Sequence, residues 1–561
     1  MRPLIANGTI SLVVFIACSI SASTASAAAP DKVNLAIENG VKHLYKQQNA
    51  AGNWERTQMK PAGAKDAEAD QGQWGGRTSL CTYALLAAGE KALDPRIVKA
   101  TDFLRKAPIT GHYALGVRAN VWLNLPQTDE NKQAMIKDAR LLTTGVSKAG
   151  GNRGFYDYQP GGPRLDISCS QYGVLGAWAV AQKLEDVKKE YWTLIETSWR
   201  AQQSDAGGWA YNGLKDANVN IQMTAAGVAT LFITQEFLHA DDGIDGTKGN
   251  IVDPFLTRGL AWVANNFQGL LAEGRNDHRL YALYGIERIG VASGYKYFGS
   301  LDWFQAGSDW IVKNQRPDGS WGSEENTAFA VLFLSRGRAP VMMNKLQYSI
   351  TRPGAEKSEE ANWNQRPRDA ANATRWVMSK TERTLNWQTV NLDVANIADL
   401  HDSTILYMTG NQTLGFTPPQ KAVLKQYIEE GGMIIASADT AKQEFVKSFR
   451  DLGKELFPQN EFAPLQDKVD HPLLAGQMFP ISNWKRKPRI EALGNRARVF
   501  MILIPSDDFG RVLQRRDLNR SEIFEFLADA FLYSTDKSEA RYKGVTHVVR
   551  ADPAKVPAAT T

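Results

Sequence analysis

The chain has 561 residues, of which 43% are hydrophobic and 22% charged, and its formal net charge is +5. This composition is typical of a globular protein and excludes an intrinsically disordered chain. The length is too great for one hydrophobic core, so we predict two or three domains. Basic stretches at 483–489 and 511–516 carry no nucleic-acid-binding motif. We interpret them as solvated surface and expect no nucleic acid among the partners.

The N-terminus has the order of residues that is typical of a secretory signal. Arg2 precedes an apolar run over 10–20, and a tract of small residues follows that run. We predict a signal peptide over residues 1–27, cut after Ala27, and an exported protein, periplasmic or secreted, with no transmembrane span after cleavage. The alternative is a lipid anchor attached at Cys18.

Two cysteines, Cys81 and Cys169, remain after that cleavage, and both lie in the N-terminal half. A single disulfide between them is one option. Two buried free thiols are the expected arrangement, because reduced cysteines usually behave as small hydrophobic residues.

A short phrase recurs three times in the N-terminal half. The copies are QQNAAGNWE at 47–55, QQSDAGGWA at 202–210 and NQRPDGSWG at 314–322. We interpret the phrase as a structural staple, because glycine permits a tight turn and tryptophan buries a large surface over it. The repeated residues are Gln48, Gly52, Trp54, Gln203, Gly207, Trp209, Gln315, Gly319 and Trp321.

Each copy ends one helical pattern and precedes another. The segment 32–48 has apolar residues on one helical stripe, whereas 78–89 is apolar nearly all round, as a helix buried on every side must be. Three weaker copies complete a series of pairs at roughly fifty residues per pair, which is a helical-repeat period. The sequence therefore predicts an all-α domain over 32–338, with six inner and six outer helices.

This pattern resembles the terpenoid-cyclase and protein-prenyltransferase superfamily, whose fold is an (α/α)6 toroid, and the phrase is similar to the glutamine–tryptophan motif of squalene cyclases. Cyclisation needs an aspartate-rich motif at the head of an inner helix, and the sequence has none. The prenyltransferase branch holds zinc with Asp, Cys and His, for which Asp166, Cys169 and His278 are the candidates. Their spacing departs from that of the family. We therefore predict no cofactor, with zinc as the alternative, and interpret Asp166 as a helix cap and Cys169 as core.

Polar and aromatic residues gather at the heads of the inner helices, where toroidal polysaccharide lyases carry catalytic groups. These residues predict a mouth that binds a sugar or a peptide, and the alternative is ordinary packing at helix ends. They are His112, Tyr113, Tyr156, Tyr158, Asp166, Tyr172, Asp277, His278 and Tyr281.

After residue 338 the pattern changes to alternating strands and helices. We interpret 339–384 as a linker and irregular lead-in, 385–537 as an α/β domain with a doubly wound, mostly parallel sheet, and 538–561 as a C-terminal tail. The segment 406–439 is similar to class I glutamine-amidotransferase-like domains. The α/β domain as a whole resembles an uncharacterised bacterial domain that is found fused to such toroids.

The resemblance does not extend to the catalytic residues. Working amidotransferases place a cysteine after a strand, and no cysteine follows Cys169 in this sequence. Ser437 stands near the corresponding turn without flanking glycines, and we interpret His401 and His471 as loop residues. We predict no amidotransferase activity, but we expect the crevice at the carboxyl ends of the strands to bind a ligand, with Asp439 as its first candidate.

Together these features predict a multidomain, exported binding or scaffold protein of the cell envelope. The expected partner is an envelope protein, a polysaccharide or an isoprenoid. The alternative is an enzyme in the bowl of the toroid, either polysaccharide lyase-like or isoprenoid cyclase- or transferase-like. An acid or metal cluster that converges in the bowl favours the enzyme, and a merely aromatic mouth favours binding.

Overall fold

The computed structural model describes residues 30–57, 72–184, 187–243, 252–272, 274, 278–535 and 540–545. The expected signal peptide and Cys18 lie outside these residues. Up to residue 338 the regular elements of the described chain are helices, apart from a small hairpin. Its elements are α1 (Pro30–Gln47), α2 (Gly76–Ala87), α3 (Pro95–Lys106), α4 (His112–Leu123), α5 (Asp129–Gly145), α6 (Ile167–Leu184), α7 (Lys189–Ala201), α8 (Ile221–Leu238), α9 (Pro254–Leu271), α10 (Arg279–Ser293), β1 (Tyr297–Phe298), β2 (Leu301–Asp302), α11 (Trp303–Lys313) and α12 (Glu324–Gly337).

The even-numbered helices are buried on nearly every side and pack against one another in a closed cycle. Helix α2 contacts α4, and the series continues through α6, α8 and α10 to α12, which packs against α2. The odd-numbered helices lie against this cycle and expose one face, because α1 and α9 carry one apolar stripe whereas α8 is apolar or small all round. None of the described helices is long and apolar enough to span a membrane.

The three repeated phrases form the turns that follow α1, α7 and α11. Their glycines have a left-handed backbone, with φ of 82° at Gly52, 95° at Gly207 and 84° at Gly319. A side chain would also collide with the next odd-numbered helix, since a Cβ on Gly319 would lie 2.5 Å from the carbonyl oxygen of Asn39. Glycine meets both the backbone and the space requirement.

The glutamine and tryptophan of each phrase tie the turn to its neighbours through the same contacts. The glutamine amide donates to the turn glycine and to a carbonyl of the next odd-numbered helix, at 2.9 and 3.0 Å for Gln48, 2.8 and 2.8 Å for Gln203, and 3.0 and 2.9 Å for Gln315. Because Gln315 reaches Ala36 in α1, the third phrase joins the last helices to the first. The tryptophan Nε1 donates to the end of the preceding helix, at Leu44 (2.7 Å), Trp199 (3.0 Å) and Ile311 (2.8 Å).

The second unit is built on a seven-stranded sheet, so the predicted order of a helical domain followed by an α/β domain is confirmed. Its elements are β3 (Val341–Gln347), β4 (Ser349–Ile350), β5 (Glu359–Glu360), α13 (Asp369–Thr381), β6 (Asn386–Asn391), α14 (Ile397–Leu400), β7 (Ile405–Gly410), α15 (Pro418–Glu429), β8 (Met433–Ala438), α16 (Gln443–Leu456), β9 (Ala463–Pro464), α17 (Pro472–Ala475), β10 (Glu491–Gly494), β11 (Val499–Ile504), α18 (Phe509–Arg515) and α19 (Ser521–Ser534).

The strand order across the sheet is β6-β3-β7-β8-β11-β10-β9. The first five strands are parallel, and β10 and β9 form an antiparallel edge. Apolar residues of α13, α18 and α19 cover one face of the sheet, and those of α15 and α16 cover the other. Chain order runs outward in both directions from β3, which makes the β3–β7 boundary the point where the winding reverses.

The interpretation of 339–384 as a linker is wrong, because this segment contributes β3 to the middle of the sheet and α13 to its cover. The reason lies in the strand itself. Asn344 and Lys345 interrupt its apolar run, yet they are 0% and 1% exposed. A strand buried on both faces usually reads as continuous apolar sequence, and two buried polar residues conceal that signal.

The α/β unit packs directly on the helical unit. The backbone N–H of Thr389 in β6 donates to the carbonyl oxygen of Gly294, which ends α10, at 2.6 Å. Nearby, the ammonium group of Lys296 lies 2.5 Å from a carboxylate oxygen of Asp402. The two units therefore share backbone and ionic contacts in addition to the chain that joins them.

The staple interpretation leads to a stability test. Trp209 and Trp321 are 0% and 6% exposed, so alanine at either position leaves a cavity and removes the indole hydrogen bond. We expect each variant to lower the free energy of unfolding by about 3–5 kcal/mol, measured by denaturant titration followed by circular dichroism. Leu93→Ala is the control, because Leu93 is 85% exposed. An unchanged unfolding midpoint in both tryptophan variants would contradict the staple interpretation.

Candidate functional site

Four of the tyrosines predicted at the heads of the inner helices converge inside the helical unit. The ring centroid of Tyr113 lies 5.4 Å from that of Tyr158 and 5.1 Å from that of Tyr172. Tyr172 in turn lies 6.3 Å from Tyr281. Since α8 separates α6 from α10 in the cycle, the contact between Tyr172 and Tyr281 crosses the interior of the ring.

Polar side chains also contact one another across the interior of the ring. The Gln171 side-chain amide donates to the Tyr281 hydroxyl, and Gln171 Oε1 accepts from Arg288 Nη1 at 2.7 Å. On the adjacent pair of helices, Glu287 accepts from Arg336 Nε at 2.8 Å. Burial raises the pKa of Glu287, and Arg336 opposes that rise. At this level the interior of the ring is occupied by side chains that contact one another.

His112 and Tyr156 lie between the inner and outer helices. The buried His112 ring donates from Nδ1 to the carbonyl oxygen of Asp157 at 2.6 Å, and burial lowers the pKa of the imidazole. The Tyr156 hydroxyl donates to the carbonyl oxygen of Leu142 in α5 at 2.9 Å. These two predicted site residues do not join the tyrosine cluster.

The three zinc candidates have separate roles. Asp166 accepts the backbone N–H of Cys169 at 2.8 Å and so caps α6. Like Cys81, Cys169 is a buried free thiol, as expected, and burial raises its pKa well above the usual value. His278 is the residue before α10, and Asp277 lies outside the described residues. Across the described ranges, no three His, Cys, Asp or Glu side chains are grouped as a metal site requires.

The carboxyl edge of the parallel sheet gathers buried charged groups. Lys345 in β3 donates from its ammonium group to Asp369 Oδ1 at 2.6 Å, to the carbonyl oxygen of Arg366 at 2.6 Å and to Asn364 Oδ1 at 2.9 Å. A buried charge is tolerated when it is paired and hydrogen-bonded in this way. This cluster lies beside the β3–β7 boundary, where doubly wound sheets bind their ligands.

The Arg366 side chain, 1% exposed, extends the cluster in two directions. Its Nη2 donates to Asp508 Oδ2 at 2.9 Å, and its Nη1 donates to the carbonyl oxygen of Gly243 in the helical unit at 3.0 Å. Asp508 also accepts the backbone N–H of Thr440 at 3.0 Å. The Arg366 guanidinium group thus contacts both the segment that follows β11 and the segment that follows α8. Through Asp508 it is also linked to the turn after β8.

Asp439, which the sequence singles out in this crevice, directly follows β8 and is fully buried. Within the described residues, neither oxygen of its carboxyl group has a hydrogen-bond partner. Burial, and then the negative charge of Asp508, raises the pKa of Asp439 well above its usual value. Buried polar groups without partners are rare in folded proteins, so this carboxyl group calls for an explanation.

The two residues after Asp439 have a left-handed backbone, with φ of 54° at Thr440 and 54° at Ala441. Threonine is β-branched and rarely adopts this conformation. Such strain costs on the order of 1–3 kcal/mol per residue and is concentrated at functional sites. The Thr440 hydroxyl is also buried, and it has no hydrogen-bond partner in the part of the chain that is described.

Ser437 is not arranged as a nucleophile. Its hydroxyl is fully buried, and no group in the described ranges makes a hydrogen bond to it. His401 lies beyond the amino end of β7 and pairs with Glu430 at 2.8 Å. His471 caps α17 by accepting the N–H of Leu473 at 3.2 Å. Neither histidine therefore acts on Ser437 as a base in this arrangement.

An open cleft of about 730 Å³ adjoins the strained turn and is lined by the turn itself and by the segment that follows β11. Three carboxylates line it, those of Asp507, Asp508 and Asp517. The basic stretches at 483–489 and 511–516, interpreted from the sequence as solvated surface, meet here. The cationic side chains that line the cleft are Lys442, Arg486, Arg511, Arg515 and Arg520.

Asp439 could be identified from the sequence, but its neighbours could not; these are Lys345, Arg366, Asp369 and Asp508. One signal was available, because Lys345 stands in the short run VMMNKLQ, where a charge is unusual for a strand buried on both faces. The other three lie in polar segments of ordinary composition.

Residues 344–539 match a family described as "Domain of unknown function (DUF4159)". The match spans less than half of the chain. It runs from within β3 through α19, so it coincides with the α/β unit and includes much of the segment first interpreted as a linker. No curated protein matches the chain.

The raised pKa of Asp439 predicts a pH dependence of stability. An unfolded aspartic acid has a pKa of about 3.9, and the folded value is well above it. The folded protein therefore binds the Asp439 proton more tightly than the unfolded chain does. The free energy of unfolding falls as the pH rises from about 4 through the folded pKa. We expect Asp439→Asn, measured by thermal unfolding, to gain stability relative to the wild type across that range. The exposed Asp451 provides the control, because Asp451→Asn should follow the wild-type profile; identical profiles for all three proteins would contradict the prediction.

Proposed function

We propose that this protein is an exported binding or scaffold protein of the cell envelope whose ligand site is at the carboxyl edge of the α/β unit. The observation that carries the proposal is Asp439, a buried carboxyl group that has no hydrogen-bond partner among the described residues and that precedes a strained turn at the wall of an open cleft. Open sheets of this winding bind ligands at this edge.

In this proposal the helical unit is an (α/α)6 toroid of the cyclase and prenyltransferase type. The closed cycle of even-numbered helices, the outer layer of odd-numbered helices and the three equivalent turns support that assignment. Its role is to hold the α/β unit, which we assign to an amidotransferase-like fold from its strand order and from the turn after β8.

Binding is favoured over catalysis by what surrounds the reactive side chains. Ser437 has no base within the described residues, and Glu287 in the ring pairs with Arg336. The rings of the tyrosine cluster pack on one another. The second candidate, an enzyme in the ring that acts on a polysaccharide or an isoprenoid, is favoured by the buried Tyr172 hydroxyl and Arg288 Nη2, for which the described ranges supply no partner.

The first test concerns amide hydrolysis. We expect no glutamate release above background when the purified full-length protein is incubated with glutamine, because the buried Ser437 hydroxyl lacks an activating base. Ser437→Ala should give the same background rate. Glutamate release by the wild type that this substitution abolishes would restore an enzymatic function and overturn the proposal.

The second test locates the ligand site. Ser506 is exposed and lines the cleft, so Ser506→Trp should fill the cleft without disturbing the fold. Gln459→Trp is the matched control, because Gln459 is exposed in the turn after α16, at the opposite edge of the sheet. In a thermal-shift screen of sugars, peptides, nucleosides and organic anions, we expect at least one compound to stabilise the wild type and the control.

The same compound should not stabilise Ser506→Trp. Stabilisation that survives in Ser506→Trp but disappears in Arg288→Met would place the site in the ring and favour the second candidate. A screen in which no compound stabilises the wild type would contradict the proposal.

A further inference from the structure

We infer that the cleft beside Asp439 binds a phosphate or pyrophosphate group, with Arg486 and Arg511 as its principal contacts. This inference rests on the proposed function and deepens it by naming the chemical class of the ligand. It depends on the charges that line the cleft, on their existing partners and on the groups at the strained turn.

The cleft has an excess of positive charge that is not neutralised from within. Five cationic side chains and three carboxylates line it. In the described ranges, the exposed side chains of Arg486, Arg511 and Lys442 make no ion pair or hydrogen bond. Arginine presents parallel N–H donors that match the oxygens of a phosphate. The cationic side chains of the cleft outnumber its carboxylates.

Of the two remaining arginines, Arg515 is held by an exposed ion pair and Arg520 by a buried carboxylate. Arg515 contacts Asp241 of the helical unit at 2.8 Å, and both side chains are largely exposed. Arg520, whose side chain is 19% exposed, pairs with Glu522, which is 1% exposed, and also lies 3.2 Å from Asp507. Exposed ion pairs contribute little to stability, so a phosphate that enters the cleft competes with Asp241 for Arg515 at small cost. Arg520 stays paired with Glu522.

Neutral donors at the strained turn complete the site. The Thr440 hydroxyl has no partner among the described residues. Helix α16, of 14 residues, begins directly after Lys442, whose side chain does not cap it. Backbone N–H groups at the start of such a helix favour an anion. Asp439 is buried behind this turn, and burial raises the pKa of its carboxyl group, which favours the neutral form.

A divalent cation is the other ligand that a group of carboxylates would suggest. Here Asp369 pairs with Lys345, and Asp508 pairs with Arg366. These acids are therefore already neutralised by buried cations. No grouping of three acids or histidines in the described ranges fits a metal ion.

The inference is tested by isothermal titration of the full-length protein with inorganic phosphate, pyrophosphate, a sugar phosphate and citrate, at constant ionic strength. We expect saturable binding of pyrophosphate, and weaker binding of citrate. The double substitution Arg486→Gln and Arg511→Gln should weaken pyrophosphate binding at least tenfold, and Ser506→Trp should abolish it. The matched control is Arg496→Gln, because Arg496 is an exposed arginine in the turn between β10 and β11, at the opposite edge of the sheet.

Binding of the sugar phosphate as tightly as pyrophosphate supports a phosphorylated ligand, and binding of the inorganic ions alone supports free phosphate; both outcomes uphold the inference. Tighter binding of citrate, equal losses in the Arg496→Gln control, or no saturable phosphate binding overturns it. If no phosphate compound binds while Ser506→Trp still blocks the binding of a neutral compound, the inference is wrong and the proposed function stands. If Ser506→Trp blocks no compound at all, both are wrong.

Discussion

The Lys345 ammonium group is the interaction on which the carboxyl edge of the sheet depends. It lies on a central strand at 1% exposure, so its charge must be balanced inside the protein. Removing one partner of a buried ion pair costs about 3–5 kcal/mol. Because Lys345 holds Asp369 and the carbonyl oxygen of Arg366, it fixes the segment between them. That segment aims the Arg366 guanidinium group at Asp508, which in turn holds the strained turn after Asp439.

A second buried charge fixes the α/β unit on the helical unit. Glu236 at the end of α8 is 3% exposed and pairs with Arg375 in α13, where Nη2 and Oε2 are 2.9 Å apart. Burial alone would raise the pKa of Glu236, but the positive charges of Arg375, Arg368 and Arg516 lower it to about 2. The carboxylate is therefore ionised at any ordinary pH, and the joint between the units is permanently charged.

The sequence predicted what depends on local pattern. The repeated turns could be found because glutamine, glycine and tryptophan recur at fixed spacing, and Asp439 could be found because it ends a strongly apolar strand. The charged cluster could not be found in the same way, because its members meet only in the folded chain. Arg366 and Asp508 are separated by 142 residues. Strand β3 was missed for a related reason: the side chains of its buried Asn344 and Lys345 donate hydrogen bonds to distant groups that a local pattern does not contain.

Helix α13 connects these two buried charge clusters. Asp369 stands in its first turn and contacts Lys345, and Arg375 stands roughly 9 Å further along the axis and contacts Glu236. A helix of 13 residues moves as one body, so a shift of Asp369 at the sheet edge also displaces Arg375 at the joint. The helical unit supplies Gly243 to the same cluster through Arg366. The α/β unit alone would keep the Arg366–Asp508 pair, but it would lose the Gly243 carbonyl oxygen at Arg366 and the Glu236 carboxylate at Arg375. The ring is therefore part of the architecture of the site.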